Sequence, residues 1–130
     1  MIVLDASAVL AFLQGEPGCD RVEAALPEGV IGAANWSEVA QKVRARDADW
    51  ALAAGLLMSY GVRVEAVTPA DAEEAALRWR PGSGLSLGDR LCLALAARLD
   101  APVLTADRAW GEGPGVEQLR QRSADPRPYP

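Results

Sequence analysis

The chain has 130 residues, half of them apolar, and carries 13 Lys and Arg against 18 Asp and Glu, for a net charge of −5. That length fits one domain able to bury roughly two thirds of its unfolded surface, and the apolar share excludes an intrinsically disordered chain. The acidic balance argues against a broad non-specific nucleic-acid binder, and the absence of histidine excludes a Ser-His-Asp triad, histidine acid–base catalysis and histidine-ligated zinc.

Cys19 and Cys92 stand far apart with no second cysteine pair, so they read as free thiols, buried or partly buried, and not as a zinc site. No apolar run approaches the ~20 residues that cross a bilayer. Ile2 already opens a strand-like run with no basic leader before it, so the expected compartment is the cytoplasm, with no membrane partner.

Met1-Ile-Val-Leu-Asp5 reads as a short apolar strand ending in a carboxylate, the kind found in a parallel sheet covered on both faces. A helix follows through Leu13 and stops near Gly15, Pro17 and Gly18; a second covers Cys19 to Leu26 and ends at Pro27 and Gly29. Val30 to Ala34 is the next strand, with Asn35 at the N-cap of a helix through Arg46. Ala48 to Ser59 reads as helix, broken by Gly61, and Val62, Val64 and Val67 bracket a third strand.

Thr68-Pro-Ala-Asp71 opens a helix with a cap, a first-turn proline and an acid at the third position. Pro81-Gly-Ser-Gly84 is a loop, and Ser86 begins a helix whose apolar face includes Leu91, Leu95 and Leu99. Pro102 to Thr105 is a fourth strand and Val116 to Leu119 a short fifth; residues 123–130, with three prolines, form a loose tail behind a single domain over 1–122. Strands alternating with helices give a three-layer α/β/α fold around a parallel sheet of four or five strands, joined by right-handed crossovers. Function then belongs beyond the carboxyl ends of those strands.

Four acids converge on that edge. Asp5 ends the first strand, Asp107 lies just past the fourth, and Glu38 and Asp89 sit in the first turns of the helices that begin at Asn35 and Ser86. Clustered carboxylates suit a hard cation such as Mg²⁺ or Mn²⁺, which lowers the pKa of a bound water and stabilises charge on a phosphodiester. Without a cation, four like charges repel one another, an arrangement that is costly unless used.

Each acid also has a purely local reading: Asp5 as an N-cap, Asp89 as capping-box partner of Ser86, Glu38 as the same device after Asn35, and Asp107 as cap of a turn through Trp110. None of these explains why all four share one edge. Ser7 and Thr105 are candidates to hydrogen-bond the carboxylates, Asn35 to orient its loop, and Arg90 and Arg108 to touch phosphate. Most of the four tryptophans read as packing residues, and Trp110, beside the site, is a candidate to stack on a base.

The segments Val3-Leu-Asp5-Ala-Ser7, Ile31-Gly-Ala-Ala-Asn-Trp-Ser-Glu38-Val, Leu85-Ser-Leu-Gly-Asp89-Arg-Leu-Cys-Leu-Ala and Val103-Leu-Thr-Ala-Asp107-Arg-Ala-Trp110 together resemble a PIN domain. The resemblance is to the toxin nuclease of a VapBC-type toxin–antitoxin pair, and it runs through essentially the whole chain. It implies a divalent-metal-dependent endoribonuclease in which Asp5, Glu38, Asp89 and Asp107 ligate Mg²⁺ or Mn²⁺ directly or through water, supported by Ser7 and Thr105. It implies an RNA substrate, a homodimer and a cognate antitoxin. Two other readings share the acids: a DNA or flap nuclease, and a catalytically silent Mg²⁺-binding interaction module. A receiver-like module fits poorly, because the only lysine is Lys42 and none follows late in the chain.

Overall fold

The computed structural model describes residues 1–111 and 113–119; the expected tail over 123–130 lies outside the described residues. Five strands form one parallel sheet in the order β3-β2-β1-β4-β5, with β1 at Ile2–Leu4, β2 at Gly29–Gly32, β3 at Arg63–Glu65, β4 at Val103–Thr105 and β5 at Val116–Gln118. Among the described residues six α-helices accompany them: α1 (Ala6–Leu13), α2 (Cys19–Ala25), α3 (Ala33–Ala45), α4 (Trp50–Ser59), α5 (Pro69–Leu77) and α6 (Leu87–Leu99).

The strand pattern explains the layers. Side chains alternate across a strand, so Ile2 and Leu4 of β1 share one face with Ile31 and Leu104, while Val3 shares the other with Val30 and Val103. The first face buries Val9 of α1, Val22 of α2, Val39 and Val43 of α3 and Leu57 of α4. The second face takes Cys92, Leu95 and Ala96 of α6, with α5 packed on α6 outside it. Both faces are covered, which is why the central strands read as continuous apolar runs and not as alternating ones. Each such Leu, Ile or Val contributes about 1.5–3 kcal/mol on full burial.

Thr68 and Ser86 cap α5 and α6 through complete capping boxes with Asp71 and Asp89, as their sequences predict. Asp71 does more: almost wholly buried, it also accepts two hydrogen bonds from Arg98 at 2.9 and 3.1 Å, tying α5 to α6.

Several expectations are corrected. β2 stops at Gly32, whose extended backbone serves as N-cap, so α3 starts at Ala33 and Asn35 is a residue inside the helix. Glu38 therefore lies in the second turn of α3. Leu10 and Val39 are buried in the core, whereas Leu52, Leu56 and Met58 of α4 are exposed. Trp36 and Trp50 pack edge to face at 4.8 Å, but Trp79 is exposed. Both cysteines are free thiols, Cys92 buried. No helix among the described residues is long and apolar enough to cross a membrane.

Candidate active site

In the order β3-β2-β1-β4-β5 the chain reverses direction across the sheet between β1 and β4. Loops leaving neighbouring strands there diverge to opposite faces and open a crevice at the carboxyl edge. Asp5 follows β1 into it, and Thr105, Ala106 and Asp107 enter from the end of β4.

Asp5 begins α1 but does not use its side chain as a cap. Its Oδ2 accepts from the Ser7 hydroxyl at 2.5 Å and from the Thr105 hydroxyl at 2.9 Å. Each hydroxyl in turn accepts a backbone N–H from the loop after β4: Ala106 N–H donates to Ser7 Oγ at 3.0 Å and Asp107 N–H to Thr105 Oγ1 at 3.0 Å. Two peptide dipoles are thus relayed through two hydroxyls onto one carboxylate oxygen, which fixes the rotamer of Asp5.

Burial is nevertheless the larger effect: it raises the Asp5 carboxyl to about 6, opposed by the Ser7 and Thr105 hydrogen bonds and reinforced by the negative charges of Asp89 and Glu38. Burial, reinforced by the charges of Asp5, Asp89 and Glu38, holds the Cys92 thiol well above its ordinary value, so it stays neutral behind the site.

Glu38 comes from α3, near enough for its charge to act on Asp5. Asn35, 1% exposed, donates to Glu38 Oε1 at 2.8 Å and to the Gly88 carbonyl at 3.1 Å. It therefore clamps the acid of α3 to the first turn of α6, a tertiary role in place of the expected capping one. Gly88 permits the approach: a Cβ there would lie 2.7 Å from Glu38 Oε1 and 2.9 Å from Cδ. Gly88 was not singled out in the sequence; the signal available was a glycine in the first turn of a helix, where it is a poor helix former.

Asp89 is half-buried in that first turn, its Oδ2 accepting from Ser86 N–H at 2.9 Å. Asp107 stands at the rim, its Oδ1 accepting from Ala109 N–H at 2.9 Å to cap the 3-10 turn Arg108–Trp110. The local readings of Asp89 and Asp107 hold as local structure and leave one oxygen of each carboxylate uncommitted among the described residues.

Among the described residues, no three His, Cys, Asp or Glu side chains are arranged to hold an ion directly. The donor set still fits a hard cation that keeps several waters and takes one or two protein carboxylates. Of the outlying candidates, Arg90 is turned away onto the Ala75 carbonyl at 2.9 Å, and Trp110 packs partly against the β1–β4–α6 core. Arg108 is exposed beside Asp107.

Residues 2–114 match the PIN domain family. Ribonuclease VapC42 of Mycobacterium tuberculosis and the VapC ribonuclease Mb2780c of Mycobacterium bovis are each 35% identical over 115 residues, 79% of this chain and 88% of the relative. Among solved structures, a toxin–antitoxin complex from Klebsiella pneumoniae has a chain that matches with a TM-score of 0.74 at 20% identity, covering 94% of this chain and 100% of that one. Mycobacterium tuberculosis VapC20, a toxin that cleaves the sarcin-ricin loop, matches at 0.68 and 20%, over 87% of this chain and 97% of its own. The two structures agree with the fold, and the matched segment and the identity to the curated relatives establish descent: this chain belongs to the PIN-domain family and is homologous to its VapC-type ribonuclease toxins.

Proposed function

We propose that the chain is a divalent-metal-dependent endoribonuclease, the toxin component of a toxin–antitoxin pair. The observation that carries this reading is Asp5: a buried carboxylate at the crevice between β1 and β4, held by two hydroxyls and facing the charges of Glu38 and Asp89. Such a group destabilises a fold unless a cation offsets it. The substrate class comes from the relatives, which are named VapC ribonucleases.

Asp5, Glu38, Asp89 and Asp107 would hold Mg²⁺ or Mn²⁺ together, one or two of them directly and the others through waters the cation keeps. When bound, the ion supplies activation of a water at neutral pH and neutralises charge building on the phosphodiester. The remaining work belongs to the chain. Ser7 and Thr105 hold Asp5 Oδ2 in place and leave Oδ1 to the cation. Asn35 fixes Glu38 through Oε1, so that Oε2 is presented to accept the proton of the attacking water. Peptide N–H groups at the start of α6 add positive potential where a phosphate approaches.

A toxin of this kind is paired with an antitoxin, and the exposed Leu52, Leu56 and Met58 of α4 offer apolar surface to it or to a second copy of the chain in a homodimer. The test is cleavage of matched RNA and DNA oligonucleotides with Mg²⁺ or Mn²⁺. The reading expects RNA to be cut and DNA spared, with EDTA stopping the reaction. Cleavage of DNA alone would move the chain to the alternative nuclease class, and folded protein that binds metal and cuts neither would make it an interaction module.

A further inference from the structure

An acidic chain that acts on a polyanion has few cations to grip it with, and this chain commits half of its described ones elsewhere. Arg21 pairs with Glu117, Arg98 with Asp71 and Glu65, and Arg78 with Glu74. Arg80 folds onto the Leu77 and Trp79 carbonyls and Arg90 onto that of Ala75. Lys42, Arg44, Arg46, Arg63 and Arg108 make no ion pair or side-chain hydrogen bond with the described residues.

Two of these five line one cavity. Lys42 in the last turn of α3 and Arg46 at its C-cap are four residues apart, hence on one face. Across from them stand Ser7 of α1, Gln14 at its C-cap, and Glu16, around a cavity of about 340 Å³. Ser7 belongs to both places: it lines this cavity, and its hydroxyl donates to Asp5. The cavity therefore opens beside the acids. Two cations against the one acid of the lining leave it net positive, next to a cluster that is strongly negative before a cation binds.

We propose that this cleft is a phosphate subsite for RNA, taking a phosphodiester that flanks the scissile one, with Lys42 and Arg46 as its cations and the Gln14 amide as a neutral donor. The inference rests on the ribonuclease reading and extends it to how an acidic protein holds its substrate. Separating the grip from the chemistry also follows from the charges, since a cation placed among the acids themselves would compete with the metal. A contact made equally in ground state and transition state changes KM and leaves kcat alone.

The experiment compares Lys42→Gln/Arg46→Gln with Arg44→Gln/Arg63→Gln, which removes the same charge from outside the cleft. Each is assayed with Mg²⁺ on a single-stranded RNA oligonucleotide over a range of salt. The expected result for the cleft variant is a KM raised about tenfold or more, kcat within about twofold of wild type, and a log–log salt dependence shallower by about 1–2. The control pair should change KM by less than about threefold, the diffuse effect of net charge. Lys42→Gln alone, an exposed single change, shows the same direction at smaller size should the double variant fold poorly.

An equal effect of the two pairs, or none, overturns the subsite while leaving the ribonuclease reading intact. Wild-type protein that cuts no RNA removes that reading and the subsite together. If the cleft variant loses binding to a labelled hexaglutamate peptide while its KM for RNA is unchanged, the cleft belongs to an acidic protein partner and the proposal is wrong.

Discussion

Asp5→Asn is expected to make the metal-free protein more stable. Asp5 is 3% exposed, and its carboxyl is raised from 3.8 to about 6, chiefly by burial and further by Asp89 and Glu38. Between those two values the native state binds a proton that the unfolded state has released, so stability falls as pH rises through that window and levels off above about 6. The difference corresponds to about 3 kcal/mol. Asparagine carries no charge and still offers Oδ1 to Ser7 or Thr105, but hydrogen bonds to a neutral acceptor are weaker. A net gain of about 1–3 kcal/mol at pH 7.5 follows, or roughly 3–10 °C in Tm for a domain of this size. At pH 4 the gain should shrink towards zero.

Thermal denaturation in EDTA at pH 4, 5.5 and 7.5, wild type beside variant, reads this directly. A variant less stable than wild type at pH 7.5, or a difference indifferent to pH, would refute the electrostatic account of the site. Adding Mg²⁺ should narrow the gap by stabilising wild type, since an ion that binds only the native state shifts the folding equilibrium.

Gly88→Ala should leave Tm unchanged or higher, because alanine is the better helix former, yet lower RNA cleavage at least about tenfold, because its Cβ meets the Glu38 carboxylate at 2.7–3.1 Å. Loss of Tm in that variant would mean the neighbour that gives way is structural. Asn35→Ala removes both bonds of a buried amide and releases Glu38 from α6; a loss of about 1–3 kcal/mol in chemical denaturation is expected, together with lower kcat. Arg98→Met should lower Tm at pH 7. Burial raises the Asp71 carboxyl, but its bonds from Arg98 and Thr68 prevail and hold it below its ordinary value, so that stabilisation is present at neutral pH and lost as pH falls through the folded-state value. The Tm difference should close in acid; a constant difference would mean that Arg98 acts by packing alone.

The parts of the fold legible in the sequence are those set by local chemistry. The run Ile2-Val-Leu before Asp5, and the capping boxes at Thr68 and Ser86, carry their structure within four or five residues. Asn35 shows where that reasoning fails. In Gly32-Ala-Ala-Asn35 the asparagine is the best cap by propensity, but Ala33 and Ala34 are good helix formers and Gly32 takes the extended cap conformation. The Asn35 amide is left to bind Gly88, 53 residues away, a contact no window along the chain contains.

The acids were visible because strand ends and helix starts share one edge in a parallel sheet. Their spacing was not: Asp5, Glu38 and Asp89 interact, whereas Asp107 is turned to its own 3-10 segment at the rim. The relay from Ala106 and Asp107 peptides through Ser7 and Thr105 to Asp5 depends on β1 lying beside β4, and strand order is set by tertiary packing. Arg90 adjoins Asp89 in sequence, but a helix turns successive side chains about 100° apart, and it reaches α5 instead of the crevice.

The central claim is that Asp5 anchors a metal-dependent cut in RNA. It is tested most directly by incubating a defined RNA pool with purified wild type and Asp5→Asn, each with Mg²⁺ or Mn²⁺ and again with EDTA. Cleavage by wild type with metal, absent in EDTA and absent in a folded Asp5→Asn at any metal concentration, is the predicted result. Cleavage that survives Asp5→Asn unchanged would contradict the account.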